Sequence, residues 1–227
     1  MKKTLFIMMA LVLVAAGAMA GNKQVVKEKR QLKGFERIEL LGSVDIKYRQ
    51  GKAFAVEVSA PKSVLRQVET HVTGNKLTVN MKGDGKRFNF GVADSDDVEV
   101  YVTSPDLIGV TVKGSGDFDS KGRLDTDNLD VVLEGSGDID FDDIICDRIK
   151  VALTGSGDVE VKTLKALQTQ VDVVGSGEVE LSFRNSGSVD ARLKGSGDIK
   201  LKGTVKSLTQ QAKGAGTIDT TRLTIRK

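Results

Sequence analysis

Acidic side chains recur in pairs along the second half of the chain, each pair directly after the tripeptide Gly-Ser-Gly. In the first pair, Asp117 and Asp119 are two positions apart, so an extended chain points both side chains to the same, outward side. Three more pairs follow at intervals of about 20 residues. The eight carboxylates are Asp117, Asp119, Asp138, Asp140, Asp158, Glu160, Glu178 and Glu180.

Stacked one above another, these pairs would form two adjacent columns of negative charge. At a strand spacing of about 4.8 Å, two carboxylates repel by about 0.9 kcal/mol in water and about 3.5 kcal/mol at an effective dielectric of 20. N–H groups of the same turn bonded to the first acid of each pair, neighbouring lysines, or a cation such as Ca²⁺ would offset this repulsion. We expect turn capping on a solvated face. Calcium binding, recognition of a basic partner and catalysis by paired carboxylates are the alternatives.

Other catalytic chemistry has little support in this chain. Its one histidine, His71, is expected to be a partly exposed strand residue and not a catalytic base. One histidine and one cysteine, Cys146, 75 residues apart are negligible evidence for a zinc site. The sequence therefore predicts a protein that is not an enzyme and needs no cofactor apart from the calcium alternative.

The spacing of the glycines predicts the architecture that carries the acids. Gly-Ser-Gly begins at Gly114, Gly135, Gly155, Gly175 and Gly195, with a degenerate Gly-Ala-Gly at Gly214. A fixed period of this size is typical of a solenoid, and apolar residues alternate on both sides of each tripeptide, which is typical of strands. Each repeat is predicted to have two short strands, a tight turn at Gly-Ser-Gly and a looser turn. The looser turns are expected around residues 121–127, 142–147, 162–167, 183–187 and 202–206.

Residues 1–20 have the order of a secretory signal peptide: Lys2 and Lys3, an apolar run, and Ala18-Met19-Ala20 before the expected cleavage site. Export to the periplasm or cell surface is expected. Removing the two lysines leaves 32 of the 34 basic side chains against 31 acidic ones, a balance that gives no reason to expect nucleic acid as a partner.

Residues 21–110 lack the strict period but alternate in the same way. The segment 41–46, LGSVDI, is similar to a degenerate repeat, so residues 21–110 are predicted to be a β-rich part that includes early coils or forms a domain of its own, and residues 111–227 the regular array with its cap. Residues 61–68 are expected to form a short helix. A loop is predicted at 83–97, where Lys86, Arg87, Phe88 and Phe90 are a candidate site for an anionic ligand.

The chain resembles the head-GIN domain family of autotransporter-type adhesins, which is common in Bacteroidetes. The residues that carry the resemblance are GFERIELLGSVDIKYRQG, then VYVTSPDLIGVTVKGSGD, then serial GSGD at this period, covering roughly 34–220. The resemblance implies a right-handed parallel β-helix in the periplasm or outside the cell, an adhesive role, and no catalytic residues to carry over.

Three function classes follow from these observations. The first is an adhesin or surface-binding module that presents its repetitive face to an extracellular or envelope ligand, protein or glycan. The second is a polysaccharide-active enzyme, against which stand the absence of Trp, the two Tyr and the monotony of the outward positions. The third is a purely structural envelope protein. The sequence leaves open whether the C-terminal end stacks on a second copy to form a homo-oligomer or is covered by the tail.

Overall fold

The computed structural model describes residues 24–82 and 98–226, which form a β-solenoid of about six turns. This confirms the all-β fold with parallel coils of about 20 residues that the sequence predicts. The strands of the N-terminal part are β1 Val25–Arg30, β2 Arg37–Gly42, β3 Asp45–Gln50, β4 Ala55–Pro61, β5 Val68–Thr73, β6 Lys76–Met81 and β7 Glu99–Ser104. Those of the repeat are β8 Gly109–Gly114, β9 Phe118–Asp125, β10 Asn128–Gly135, β11 Asp138–Gly155, β12 Asp158–Gly175, β13 Glu178–Gly195, β14 Asp198–Gly214 and β15 Thr217–Ile225.

Successive Gly-Ser-Gly tripeptides lie directly on one another. Gly135 is in parallel register with Gly114 on one side and with Gly155 on the other. Gly42 is in register with Gly114, so the degenerate repeat at 41–46 does begin the stack. We call the sheet surface built from strands that precede the glycines the pre-glycine face, and the one built from strands that follow them the post-glycine face.

The alternation of the sequence becomes an alternation of burial. Ile139, Val159 and Val179 lie in one inward column of the post-glycine face and are at most 1% exposed. The residues directly before and after each of them point outward, and these are the predicted acids. Because the buried residues form one continuous core that also includes the N-terminal strands, the outward positions of all coils are held in fixed register.

The two corners of a coil differ. Gly-Ser-Gly interrupts the strands, but the predicted looser turns from 142–147 onward do not: β11 runs through residues 142–147 without a break, and β12, β13 and β14 behave likewise. The N–H groups of Asp147 and Arg148 donate to the carbonyl of Asp127 in the previous coil, at 2.9 and 3.1 Å, so hydrogen bonding between coils continues around this corner. Only in the first regular coil does a gap separate β9 from β10.

The ends of the solenoid also differ. At the N-terminal end, β4 pairs antiparallel with β7 on one side and with β1 on the other, and β5 pairs antiparallel with β6. The helix expected over 61–68 is reduced to a single 3₁₀ turn, Leu65–Gln67, beside β4. At the C-terminal end, β15 is the last strand and pairs with only part of β14. Within the described residues, no helix is long and apolar enough to cross a membrane.

Candidate functional site

The corner that precedes each acid pair tolerates only glycine at two positions. Gly155 has a φ of +134°, and a Cβ there would lie 2.1 Å from the carbonyl oxygen of Gly135. A Cβ on Gly157 would lie 2.0 Å from the carbonyl oxygen of Gly137. The approach is close because the carbonyl of Gly135 accepts hydrogen bonds from the N–H groups of Ser156 and Gly157, at 2.9 and 3.3 Å.

The first acid after each corner caps the next coil. Asp117 Oδ1 accepts the N–H of Asp138 at 2.9 Å, Asp138 Oδ1 accepts that of Asp158 at 3.1 Å, and Asp158 Oδ1 accepts that of Glu178 at 3.0 Å. Asp45 Oδ1 accepts the N–H of Asp117 in the same way, at 3.1 Å. The sequence predicts a cap within one turn, and this is wrong in one respect: each carboxylate bonds to the coil that follows, so it joins two coils.

The chain of caps is interrupted where the acid is a glutamate. The N–H of Asp198 donates to the carbonyl of Gly177 at 3.1 Å, while the side chain of Glu178 pairs with Lys200 at 2.6 Å. Asp198 then resumes the pattern and accepts the N–H of Thr217 at 3.1 Å. Capping therefore requires the short aspartate side chain.

The second acids form a column that is neutralised at its ends only. In register along the post-glycine face, this column contains Lys47, Asp119, Asp140, Glu160, Glu180 and Lys200. Lys47 pairs with Asp119, and Lys202 from the neighbouring outward column pairs with Glu180. Between these pairs, Asp140 and Glu160 have no ion pair and no side-chain hydrogen bond to any described residue.

The pKa values follow this arrangement. Burial, together with the charges of Asp119 and Glu160, raises the pKa of Asp140. Burial likewise raises the pKa of Asp138, although the hydrogen bond from the N–H of Asp158 acts in the opposite direction. At the end of the column, burial would raise the pKa of Asp119, but the hydrogen bonds and positive charges of Lys47 and Lys121 together outweigh it, and the pKa is lowered. Negative charge is therefore least compensated in the middle of the face.

This middle region is a shallow depression of about 230 Å³ that brings six of the eight predicted acids together. Its lining consists of Asp138, Asp140, Asp158, Val159, Glu160, Glu178 and Glu180. Asp117 and Asp119 lie one coil nearer the N-terminal end. Among the described residues, no group of three or more His, Cys, Asp or Glu side chains is arranged to hold a metal ion.

Other residues of the sequence analysis lie away from this face. His71 is exposed on β5, whereas Cys146 is buried in β11, and burial raises the pKa of its thiol to about 12. Lys86, Arg87, Phe88 and Phe90 lie outside the described residues, as do residues 1–20, for which a signal peptide is predicted. The sequence analysis missed Asp45, Lys47 and Lys202; the degenerate repeat at 41–46 could have placed the first of these in the acidic column.

We expect Asp138→Ala to lower the free energy of unfolding by about 1–2 kcal/mol, because the N–H of Asp158 loses its charged acceptor. The matched substitution is Asp140→Ala, which replaces the same residue type two positions further along the strand. It removes no hydrogen bond to a described residue and should not destabilise the fold. Urea denaturation followed by circular dichroism measures both. Equal losses in the two variants would contradict the assignment of capping to the first column.

Removing the charge of Asp140 should stabilise the protein at neutral pH. Its pKa is raised in the folded state, so the ionised form costs stability above that pKa, and the cost disappears as the pH falls through it. We expect Asp140→Asn to gain about 1 kcal/mol at pH 7 and nothing at a pH below the ordinary aspartate value of 3.8. Denaturation curves of both proteins across this range test the sign; a gain that persists at low pH would refute it.

Calcium is expected to shift the thermal midpoint of the chelator-treated protein no more than magnesium does at the same ionic strength. Three first-column aspartates already give a carboxylate oxygen to a backbone N–H, and Ca²⁺ needs about six to eight oxygen ligands around one point. A calcium-specific rise of several degrees that is lost in Asp140→Asn with Glu160→Gln would instead identify a cation site.

Fold and face together define a β-solenoid repeat protein with a regular acidic surface. The family model described as "Putative auto-transporter adhesin, head GIN domain" matches residues 34–163 and 150–227. The chain belongs to this family, which confirms the resemblance in the sequence. No curated protein matches the chain.

Solved structures agree with this membership. A "putative adhesin" from Bacteroides fragilis is 26% identical, with a TM-score of 0.69, and the match covers 88% of this chain and 99% of that one. A "putative adhesin" from Parabacteroides distasonis is 20% identical, with a TM-score of 0.60 and coverage of 87% and 97%. A "putative lipid binding protein" from the same organism is 23% identical, with a TM-score of 0.57 and coverage of 87% and 96%. The last two show the fold alone.

Proposed function

We propose that this chain is a non-catalytic, exported binding module that attaches through its post-glycine face to a protein or glycan ligand in the cell envelope or outside the cell. The observation that carries the proposal is the repetition of outward chemistry from coil to coil. An active site departs from a repeat at one place, whereas a surface that contacts a partner at several equivalent points benefits from repetition.

The rigidity of the face supports attachment. Where the first acid after a glycine corner is an aspartate, its carboxylate accepts an N–H from the next coil and so joins the two coils. The glycine corners add two backbone hydrogen bonds per coil. A partner that binds such a preorganised surface loses little free energy to ordering the protein. The uncompensated charge of Asp140 and Glu160 at the centre favours a partner with a basic surface.

Export is supported by the sequence of residues 1–20 and by the family, whose description names adhesins. The chain has a single cysteine, so its stability in an oxidising compartment depends on the core and not on an internal disulfide.

Retention of protein-coated beads on charged surfaces tests the proposal. Beads carrying the chain from Gly21 onward are expected to be retained on polylysine. Asp140→Asn with Glu160→Gln should reduce retention, since both residues lie at the centre of the face and neither accepts a backbone N–H from the part of the chain that the structure describes. The matched control, Asp127→Asn with Asp147→Asn, makes the same change of net charge at the opposite corner. Equal retention of the two double variants would refute attachment through this face.

The competing assignment, a polysaccharide-active enzyme, predicts a different result. Incubation of the chain with a panel of acidic and neutral polysaccharides would then release reducing ends or unsaturated products. We expect no release, and a product whose formation is lost in Asp140→Asn would replace the binding proposal with a catalytic one.

A further inference from the structure

The C-terminal end of the solenoid leaves half a strand without an outer neighbour. Strand β15 pairs with β14 only between Asp198 and Val205. The rest of β14, residues Ser207–Gly214, pairs with β13 on its inner side and with no described residue on its outer side. We call Ser207–Gly214 the open edge.

The open edge presents backbone groups that other coils use for pairing. Gly195, the preceding glycine of the corner column, accepts the N–H groups of Ala215 and Gly216 at 2.9 and 3.0 Å. The carbonyl of Gly214 has no such donors among the described residues. Alternate residues of a strand form hydrogen bonds with opposite neighbouring strands. The backbone N–H and C=O groups of Leu208 and Gln210 therefore point away from β13, toward the unoccupied side of β14.

Positive charge is concentrated around the open edge. Five basic side chains near it are exposed and form no ion pair with a described residue: Lys194, Lys206, Lys213, Arg222 and Arg226. Between residues 194 and 226 the only acids are Asp198 and Asp219, and each already accepts a backbone N–H. The edge therefore attracts negatively charged groups.

Beside the open edge lies a depression of about 230 Å³ on the pre-glycine face. It is lined by Asp172, Val173, Val174, Arg192, Leu193, Lys194, Gln211 and Lys213. Arg192 is held by Asp172 at 3.6 Å and by Asp190, so it is already neutralised. Lys194 and Lys213 form no ion pair with a described residue. Val174 of β12 is 44% exposed, so the surface offers both positive charge and apolar contact.

We propose that the open edge binds an extended acidic segment of a partner protein, which adds to the pre-glycine face as one more strand. Side chains of an added strand alternate between two sides. Those on the outer side would meet Lys213 and the depression, and those on the inner side would cover Leu208 and Ala212. The segment therefore carries acidic residues at every second position with apolar residues between them. This surface is separate from the acidic face, so the inference does not depend on the proposed function.

A second copy of the chain fits this edge poorly. Its C-terminal end would bring the same five positive side chains against these five. Its N-terminal part, residues 24–82, has 12 basic and 6 acidic side chains, so it also carries a net positive charge. Like net charge on the two parts opposes end-to-end association and favours an acidic partner.

Fluorescence anisotropy with a labelled peptide that alternates glutamate and valine tests the proposal. We expect saturable binding to the chain from Gly21 onward that weakens as salt increases. Lys194→Glu with Lys213→Glu should weaken it about tenfold or more. The matched control, Lys150→Glu with Lys165→Glu, makes the same charge change away from the edge and should leave binding unaltered. A peptide that alternates lysine and valine should not bind.

Gln210→Pro distinguishes strand addition from simple charge attraction. It leaves the charge unchanged but removes a backbone N–H that points away from β13 and that no described residue uses. We expect this variant to keep its thermal midpoint and lose the peptide; if it does not fold, the charge-reversal pair still decides. Binding that survives in the charge-reversed protein, or equal binding of the lysine peptide, would overturn the proposal. Concentration-dependent dimerisation would also overturn it and make a second copy the occupant.

Discussion

Replacing Gly155 by alanine is expected to lower the free energy of unfolding by about 4 kcal/mol, a large part of the total stability of a domain of this size. Two penalties combine. The φ of +134° is unfavourable for any residue with a Cβ, and the new Cβ would lie 2.1 Å from the carbonyl oxygen of Gly135. Relief would require the two coils to separate at a place where that carbonyl holds two N–H groups. Urea denaturation measures the loss.

Gly74→Ala provides a control with a positive φ and no steric clash. Gly74 has a φ of +62°, but nothing lies within 4 Å of the position where its Cβ would be. We expect a loss of about 1 kcal/mol there. If the two variants lost equal stability, the close packing of the corners would not be what requires glycine. The repetition of Gly-Ser-Gly along this chain would then need another cause.

The sequence predicts the stack because its signals are local and repeated. Gly-Ser-Gly recurs at one spacing, and the alternation around it assigns Ile139 to the core and Asp138 and Asp140 to the surface. Any residue two positions from an outward residue on the same strand is also outward, so the two acidic columns follow without knowledge of the third dimension.

What the sequence does not predict depends on pairing between distant segments. Lys47 neutralises Asp119 although 72 residues separate them, because β3 lies beside β9 in the sheet. The direction of capping was missed for a related reason. A carboxylate beside a turn has possible donors within that turn and in the next coil, and only the folded structure shows that Asp138 accepts the N–H of Asp158.

The continuous second corner is also a property of the stack. Residues 142–147 contain three aspartates and no glycine, a composition that indicates a loop when the segment is considered alone. In the solenoid the same residues remain extended, because hydrogen bonds to the previous coil hold the backbone while it changes direction. The environment from neighbouring coils overrides the local preference.

Replacing Phe118 by alanine is expected to cost about 4 kcal/mol and to separate the unfolding of the two halves of the chain. The ring of Phe118 lies between those of Tyr48 and Phe141, with centroids 5.9 and 5.6 Å away. Tyr48 belongs to β3 of the N-terminal part and Phe141 to β11 of the repeat, so this ring joins them within the core. Calorimetry of the chain from Gly21 onward should show one transition, and the variant should show two.

Phe118→Leu distinguishes lost packing from a lost aromatic contact. It restores much of the buried volume, so we expect it to cost less than about 2 kcal/mol and to keep a single transition. Such a result would mean that close packing at this position, and not an aromatic contact, couples the N-terminal strands to the array. The inward columns of Val and Leu in later coils are held by the same kind of packing. Two transitions in the unaltered chain would show that residues 21–110 form a domain of their own. The acidic face would then depend on the later coils for its stability, although Asp45 and Lys47 would still supply its first cap and its first positive charge.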